Sequence, residues 1–302
     1  GQIVLAVNPG QLDVFARRGN IMRLNGIDAE LLDRGEVMKL LPYLDYSKEA
    51  RWPIWGGILQ GRAGTVRHDA VAWGYARAAS RLGVHIIENC EVTGFVMEGG
   101  AAVGVETTRG RINAGKIGIA VAGHSSHVAA MAGLRLPIES HILQAFVTEP
   151  IKPIVHHVVS WGAELFYLSQ SDKGGLVFGG DIDGYNSYAR RGNLPMVEHV
   201  IEAGVAMIPS LARVRVLRSW GGIMDMSMDG SPIIDKTDID GLYLNTGWCY
   251  GGFKATPASG WCFAWTIAKN ERHKLNDAYR LDRFRRGYMI DEKGQGATPN
   301  LH

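Results

Sequence analysis

A glycine-rich segment between a strand and a helix, residues 247–257, constrains this chain most. It reads Gly-Trp-Cys-Tyr-Gly-Gly-Phe-Lys-Ala-Thr-Pro and follows the strand-like run Leu242–Asn245. An apolar helical segment, Ala258–Ala268, comes next. Glycines at such a junction let the backbone approach a flat ligand, and a helix N-terminus offers N–H donors to it. Because Lys254 adds a positive charge directly after the glycines, the segment predicts a site for a flat ligand beside an anion.

A flavin ring next to a substrate carboxylate would suit this arrangement. The element that usually holds the pyrophosphate of FAD is nevertheless missing from the sequence. No strand in the chain is followed by a G-x-G-x-x-G pattern. The chain begins within a strand-like run, Ile3–Val7. We therefore expect most of a flavoprotein, with its first nucleotide-binding unit absent.

Length and composition narrow the class of protein. The chain has 302 residues, of which 46% are hydrophobic and 21% charged, so that one large domain or two interleaved domains are expected. A net charge of +2 with interspersed signs gives no reason to expect nucleic acid binding. The 3 scattered cysteines favour a reduced, cytoplasmic setting. No apolar run reaches about 18 residues, so no membrane span is predicted.

The order of predicted elements indicates an α/β (α+β) fold. The pattern predicts a helix over Asp69–Leu82, then strands including Val84–Ile87, and a hairpin turn at Gly99-Gly100. This order is typical of a dinucleotide-binding sheet with an inserted hairpin layer. Alternating strands and the helix Pro195–Met207 then predict a mixed sheet that covers a ligand. Two domains are predicted, each formed by separate stretches of the chain. An FAD-binding domain would contain residues 61–135 and, where the chain returns to it, 220–270. The substrate domain would contain residues 136–219, with 1–60 as a remnant of it and connecting segments. Residues 271–302 would form a charged tail on the surface or against a partner.

A second basic segment, residues 62–69, precedes the first of these helices. Asp69 is a plausible N-cap, which places His68 against the positive helix end and favours a neutral imidazole. A neutral imidazole is a nucleophile and could attack an activated flavin methyl carbon. Arg62 and Arg67 could pair with a phosphate. A histidine that merely caps the helix or faces solvent explains the same pattern.

Weaker signals remain open to two interpretations. The turn Gly123-His124-Ser125-Ser126 suits a cofactor phosphate or ribose, and an N-cap serine explains it equally. The glycines after Trp220 could leave room for a flavin edge or could simply mark a turn in the backbone. A buried Lys254 would need an anion, whereas its tip could also reach solvent. Several histidines lie between positions 124 and 157, but they lack the spacing of metal ligands, so we predict no metal site.

Taken together, these segments resemble the D-amino-acid-oxidase-like family of flavin amine oxidoreductases, and within it the family of beta subunits of heterotetrameric sarcosine oxidases. The similarity covers nearly all of the chain. The stretches that carry it are residues 24–30, 62–73, 88–95, 122–126, 183–186, 218–223 and 247–257.

The resemblance implies two cofactors and several partner chains. Non-covalent FAD would be the site of amine oxidation. FMN would be linked covalently to His68, because this histidine belongs to the family's R-A-G-x-x-x-H-D segment, near an interface with an alpha subunit. Relatives often read H-D-H here, where this chain has Ala70. Gamma and delta subunits would complete the assembly.

The resemblance also implies roles for individual residues. Val92 would meet the FAD adenine through its backbone, and Gly123 and Ser125 would form the second nucleotide contact. The flavin edge would lie against Gly251, Gly252 and Phe253, and Lys254 would bind the substrate carboxylate. The family's remaining carboxylate-binding arginine and its G-x-G-x-x-G pattern would lie upstream of residue 1.

The implied reaction is oxidative demethylation of sarcosine to glycine, by hydride transfer from the N-methyl carbon to FAD. Electrons would continue to FMN and oxygen, giving hydrogen peroxide, and the one-carbon unit would reach tetrahydrofolate or leave as formaldehyde. Lys254 would position the substrate. Two alternatives stay open: a related dehydrogenase for another secondary amine such as proline, and a truncated, non-catalytic subunit that binds FMN and partner chains.

Overall fold

The computed structural model describes residues 1–162 and 166–290, which form two compact units. Unit 1 contains Gly1–Val71, Ile142–Asp183 and Ala189–Gly222. Unit 2 contains Ala72–His141, Gly184–Tyr188 and the chain from Ile223 onward. The functional names given to the domains predicted from the sequence stay predictions.

The elements are as follows in chain order. The strands are β1 (Gln2–Ala6), β2 (Glu30–Asp33), β3 (Gly56–Gln60), β4 (Val92–Glu98), β5 (Ala101–Thr107), β6 (Ile112–Asn113), β7 (Ile117–Ile119), β8 (Ile138–Pro150), β9 (Val158–Trp161), β10 (Phe166–Gln170), β11 (Gly175–Ile182), β12 (Val216–Ser227), β13 (Ile233–Lys236) and β14 (Leu242–Thr246). The helices are α1 (Pro9–Leu24), α2 (Arg34–Leu40), α3 (His68–Arg81), α4 (Ser125–Met131), α5 (Leu194–Met207) and α6 (Gly252–Lys269).

A mixed sheet dominates unit 1. Its strand order is β12-β8-β11-β10-β9-β1-β3-β2, and β1 pairs parallel with β9 but antiparallel with β3. Apolar side chains of the sheet, α2 and α5 form one core, which includes Leu5, Val37, Phe146, Leu168 and Met207. The α5 helix starts where the sequence predicts, because the Asn193 side chain accepts a hydrogen bond from the Met196 N–H and a proline occupies the first turn.

Two small sheets build unit 2. One has the order β13-β14-β7, with β14 parallel to β7, and α6 packs on it. The other, β4-β5-β6, is the predicted hairpin layer, and Gly99 and Gly100 at its turn both adopt positive φ, 57° and 87°. The core contains buried residues of both strands of the parallel pair, such as Ile119 and Leu244.

Three predictions of local structure are wrong. Residues 84–87 form no strand; Val84, Ile86 and Ile87 are each about half exposed, and β propensity without a partner strand does not make a sheet. The α6 helix starts at Gly252 rather than Ala258, because Pro257 lies inside the helix instead of marking its start. The pattern of residues 11–41 predicts two helical segments around Gly26, but the strand β2 lies between α1 and α2.

The described part of the tail is anchored by a buried arginine rather than lying wholly on the surface. Arg283 donates two hydrogen bonds of 2.8 Å to Asp229, and both side chains are almost fully buried. Residues 291–302 of the predicted tail lie outside the described residues. Within the described ranges, no helix has both the length and the apolar character that crossing a bilayer requires.

Candidate functional site

The glycine-rich segment forms a tight turn between β14 and α6. We call residues 247–251 the β14–α6 turn. Two of its residues have left-handed backbone conformations: Gly247 with a φ of 72° and Cys249 with a φ of 48°. Glycine adopts this conformation freely, but a cysteine does so at a cost in free energy. Backbone strain of this kind persists only where surrounding contacts hold it in place, and it clusters at functional sites.

A buried carboxylate on β12 supplies such contacts. Asp225 is 4% exposed, and its Oδ2 accepts a 2.6 Å hydrogen bond from the Gly247 N–H. The Thr246 hydroxyl donates to the same oxygen at 3.2 Å, and the Cys249 N–H donates to the Asp225 carbonyl oxygen at 3.2 Å. Burial raises the pKa of Asp225, and the N–H donors of the turn act in the opposite direction. No pattern in the sequence points to Thr246, whereas an aspartate between Met224 and Met226 in an apolar strand is a signal that points to Asp225.

The same network reaches the second predicted cofactor segment, at the start of α4. The Thr246 hydroxyl also lies within hydrogen-bond distance of the Ser125 hydroxyl, and its single proton serves Asp225 or Ser125 at any one time. Ser125 is fully buried and donates to the Ala122 carbonyl oxygen at 2.5 Å. A Cβ at Gly123 would overlap the Ile223 side chain and lie 2.7 Å from the Ile223 carbonyl oxygen. Close packing therefore explains this glycine and this serine. Their contact with a nucleotide stays a prediction, and the Ser125 hydroxyl is already engaged within the chain.

The first turn of α6 has the features expected of a site that binds an anion. It contains Lys254, no acidic residue and no side-chain cap at its N-terminus. The ammonium is exposed and donates to the Tyr250 carbonyl oxygen at 2.9 Å. A cation at a helix N-terminus is unfavourable to the helix dipole, and a bound anion would offset this cost. Phe253, in the same turn, is half exposed.

The second basic segment lies at the start of α3 and is exposed except at Ala63, which is partly buried. The helix begins at His68, so Asp69 lies in its first turn and the prediction that Asp69 caps it is wrong by about one residue. Arg67 pairs with Asp69 at 2.7 Å and Arg62 with Asp28 at 2.6 Å. The hydrogen bond from Arg67 lowers the pKa of Asp69. A phosphate would have to compete with these carboxylates for both arginines.

The remaining predicted residues lie in strands. Val92 is the first residue of β4 and pairs with Thr107 of β5. Trp220 lies in β12 and is 42% exposed. The structure thus connects Ser125 with the β14–α6 turn inside unit 2, while Arg62, Arg67, His68 and Trp220 belong to unit 1. No cluster of histidine, cysteine, aspartate or glutamate suited to a metal occurs among the residues that the structure describes.

The mixed sheet, together with a parallel strand pair that leads through glycines into a helix with a lysine in its first turn, is the arrangement expected of a flavin oxidoreductase. The chain belongs to the FAD dependent oxidoreductase family (DAO), whose model matches residues 1–265. This confirms the predicted fold class and the resemblance inferred from the sequence.

Individual relatives are more specific. The chain is 68% identical over 302 residues to the protein named Sarcosine oxidase subunit beta of Rhizobium meliloti (strain 1021), covering 100% of this chain and 72% of that protein. It is 47% identical over 298 residues to the protein of the same name from Arthrobacter sp, covering 99% of this chain and 74% of that one.

Solved structures agree on the fold. The chain matches L-proline dehydrogenase from P. horikoshii with a TM-score of 0.87 and 26% identity, over 96% of this chain and 77% of that one. Glycine oxidase from Geobacillus kaustophilus matches with a TM-score of 0.81 and 20% identity, over 94% and 74% of the two chains. The second likeness concerns the fold alone.

Proposed function

We propose that this chain is the amine-oxidising beta subunit of a cytoplasmic sarcosine oxidase, which converts sarcosine to glycine by flavin-dependent oxidative demethylation. The observation that carries this proposal is the 68% identity across all 302 residues to a protein named Sarcosine oxidase subunit beta. In the proposed net reaction, the N-methyl group of sarcosine is oxidised and two electrons leave through FMN to oxygen, giving hydrogen peroxide. The one-carbon unit passes to tetrahydrofolate or leaves as formaldehyde.

FAD, when bound, supplies the two-electron acceptor for the amine. The residues proposed to hold it are Val92, the turn at Gly123 and Ser125, and Gly251 to Phe253. The last segment fits a flat ring, because a Cβ at Gly251 or Gly252 would meet only Trp248 within 4 Å. The N-terminus of α6 also has no side-chain cap, which suits an external hydrogen-bond acceptor.

Lys254 is the residue proposed to bind the substrate carboxylate. Its ammonium now donates to the Tyr250 carbonyl oxygen, a neutral acceptor. A carboxylate would make a stronger, charge-assisted hydrogen bond with the same group and would also offset the helix dipole. Fixing the acid end of sarcosine in this way orients its N-methyl group without acid–base chemistry.

His68 is the proposed attachment point for FMN, near an interface with an alpha subunit; gamma and delta subunits complete the proposed assembly. The imidazole is exposed at the start of α3, as covalent attachment to a cofactor requires. Arg62 and Arg67 are proposed to serve the FMN phosphate after exchanging their carboxylate partners. Trp220 is proposed to lie near a flavin edge.

Denaturing the purified complex and separating polypeptide from supernatant tests both cofactors. We expect flavin colour to stay with the chain, FAD to appear in the supernatant, and His68→Ala to abolish the retained colour. His85→Ala, at another exposed histidine, is the matched control and should keep it. Colour that persists in the His68 variant contradicts the attachment site. Flavin colour on the chain with no FAD in the supernatant would favour the non-catalytic alternative, which binds FMN alone.

A related secondary-amine dehydrogenase is the second candidate. The likeness to L-proline dehydrogenase from P. horikoshii, with a TM-score of 0.87, supports it. Turnover of the purified complex should be compared with sarcosine and with proline as substrates. Oxidation of proline without oxidation of sarcosine would reject the first proposal in favour of the second.

A further inference from the structure

Three buried aspartates of unit 2 differ in what neutralises them. Asp229 pairs with Arg283 and Asp235 with Arg272. Asp225 forms no ion pair with any lysine or arginine that the structure describes. A buried carboxylate without a cation is costly unless hydrogen-bond donors surround it. Those donors include the N–H groups of Gly247 and Trp248 and the Thr246 hydroxyl, so this carboxylate is hydrogen-bonded to the β14–α6 turn and to the strand end before it.

Asp225 holds the β14–α6 turn at both of its left-handed residues. Its side chain accepts from the Gly247 N–H at 2.6 Å, and its main-chain carbonyl accepts from the Cys249 N–H at 3.2 Å. Two residues further along β12, the Ser227 N–H donates to the Cys249 sulfur at 3.4 Å. A left-handed cysteine is unfavourable on its own, so these contacts from β12 are what keep the turn in this conformation.

The same carboxylate couples the two segments that are proposed to touch FAD. The Thr246 hydroxyl lies between Asp225 and the Ser125 hydroxyl, within hydrogen-bond distance of both, and donates to one of them at a time. Ser125 starts α4, and the β14–α6 turn leads into the first turn of α6 with Lys254. A displacement of Asp225 would therefore shift both the start of α4 and the first turn of α6.

We propose that Asp225 is a positioning residue, whose buried carboxylate fixes the β14–α6 turn and thereby the first turn of α6 against the start of α4. The inference rests on the proposed function insofar as these segments hold FAD and the substrate carboxylate. Asp225 itself acts through Gly247, Thr246 and Ser125 and takes no part in the chemistry.

The test compares Asp225→Asn with Asp235→Asn in the complete enzyme with its partner subunits. Both variants neutralise a buried carboxylate of unit 2, but Asp235 accepts from Arg272 at 2.5 Å and from the Leu281 N–H at 2.9 Å, not from the turn. The measurements are amide hydrogen exchange of the peptide spanning residues 245–254, FAD affinity, and the reduction potential of the bound FAD.

In Asp225→Asn we expect exchange in the β14–α6 turn to rise about tenfold or more and FAD affinity to fall by about 10- to 100-fold, the usual effect of losing a hydrogen bond to a charged group. We also expect a shift in the FAD potential. Asp235→Asn should lower the unfolding temperature without these changes. Equal effects of the two variants, or unchanged exchange in the turn of Asp225→Asn, would overturn the proposal.

If Asp225→Asn does not fold, Thr246→Val gives a second test. This substitution keeps the side-chain shape and the bond from Gly247 to Asp225, but removes the hydroxyl that reaches Ser125. Exchange should rise at residues 122–125 and less at the turn; no change at either segment would contradict the coupling. Because exchange is also measured without substrate, it reports on Asp225 even if the wild type does not oxidise sarcosine, whereas failure of the wild type to bind FAD would overturn the proposed function instead.

Discussion

The starts of α6 and α3 each carry a basic residue that is proposed to serve a flavin, yet they are built differently. The start of α6 follows a turn that hydrogen-bonds to the buried Asp225 and, through Thr246, to Ser125. In α3, by contrast, no residue is buried, and His68 at its start is exposed. A non-covalent ring needs a preorganised surface, whereas a covalent bond needs only an accessible nucleophile. The two environments therefore match the two modes of attachment proposed for FAD and FMN.

Glycine substitutions should give the largest difference in the free energy of unfolding between the packed interior at the start of α4 and the exposed segment before α3. Gly123→Ala should destabilise the protein by about 1–3 kcal/mol, because its Cβ would overlap Ile223 in a packed interior. Gly64→Ala, in the exposed segment before α3, has nothing within 4 Å of its Cβ and is the control. Urea unfolding measures both. Equal midpoints for the two variants would mean that the start of α4 is no better packed than the segment before α3.

Removing the proposed carboxylate ligand should affect kinetics but not folding. Lys254→Met is expected to lower kcat/KM for sarcosine by about 10- to 100-fold, since a charge-assisted hydrogen bond is lost. The unfolding temperature should hardly change, because the side chain is exposed. Lys269→Met, in the last turn of the same helix, is the matched control. Similar kinetics in both lysine variants would refute the role of Lys254.

A smaller effect is expected within α3 itself. Gly74 lies inside this exposed helix, and a Cβ there would have nothing within 4 Å. Gly74→Ala should therefore stabilise the protein by up to about 1 kcal/mol through helix propensity alone. The free energy of unfolding from urea titration measures it. Destabilisation by this substitution would show that another part of the assembled enzyme packs against α3. The start of α3 would then be no more exposed than the start of α6.

The pH dependence of stability should give the smallest signal. Burial raises the pKa of Asp225, so the folded chain binds this proton more readily than the unfolded chain does. Its contribution to stability is thus fully present below the ordinary aspartate pKa of about 4 and is lost as pH rises through the raised value. Wild type should lose unfolding temperature relative to Asp225→Asn over this range. Burial also raises the pKa of the neighbouring Cys249 thiol, which stays neutral there. A constant difference between the variants would contradict the assignment.

Elements with a clear local signal could be predicted from the sequence. The periodicity before Gly83 located α3 to within about one residue, and the helix predicted over Pro195–Met207 matches α5 equally closely. Residues 84–87 failed because β propensity does not supply a partner strand. The start of α6 was misplaced because a proline six residues into a helix resembles a boundary.

The scaffold of the candidate site could not be predicted in the same way. Lys254 and the glycines could be proposed as site residues because their chemistry is local. Asp225 and Ser125 are distant from the β14–α6 turn in sequence, and only the fold brings their side chains to it through Thr246. Arg283 was missed for the same reason: its partner, Asp229, lies across the fold and turns a charged tail residue into a buried one.

The central claim is that the first turn of α6 holds the carboxylate of sarcosine beside a bound flavin. Anaerobic titration of the complete enzyme with sarcosine, followed by the visible flavin absorbance, tests it most directly. The absorbance of the wild type should bleach, and Lys254→Met should need about 10- to 100-fold more sarcosine for the same bleaching. Absorbance that sarcosine leaves unchanged, or identical titration curves for the two proteins, would contradict the claim.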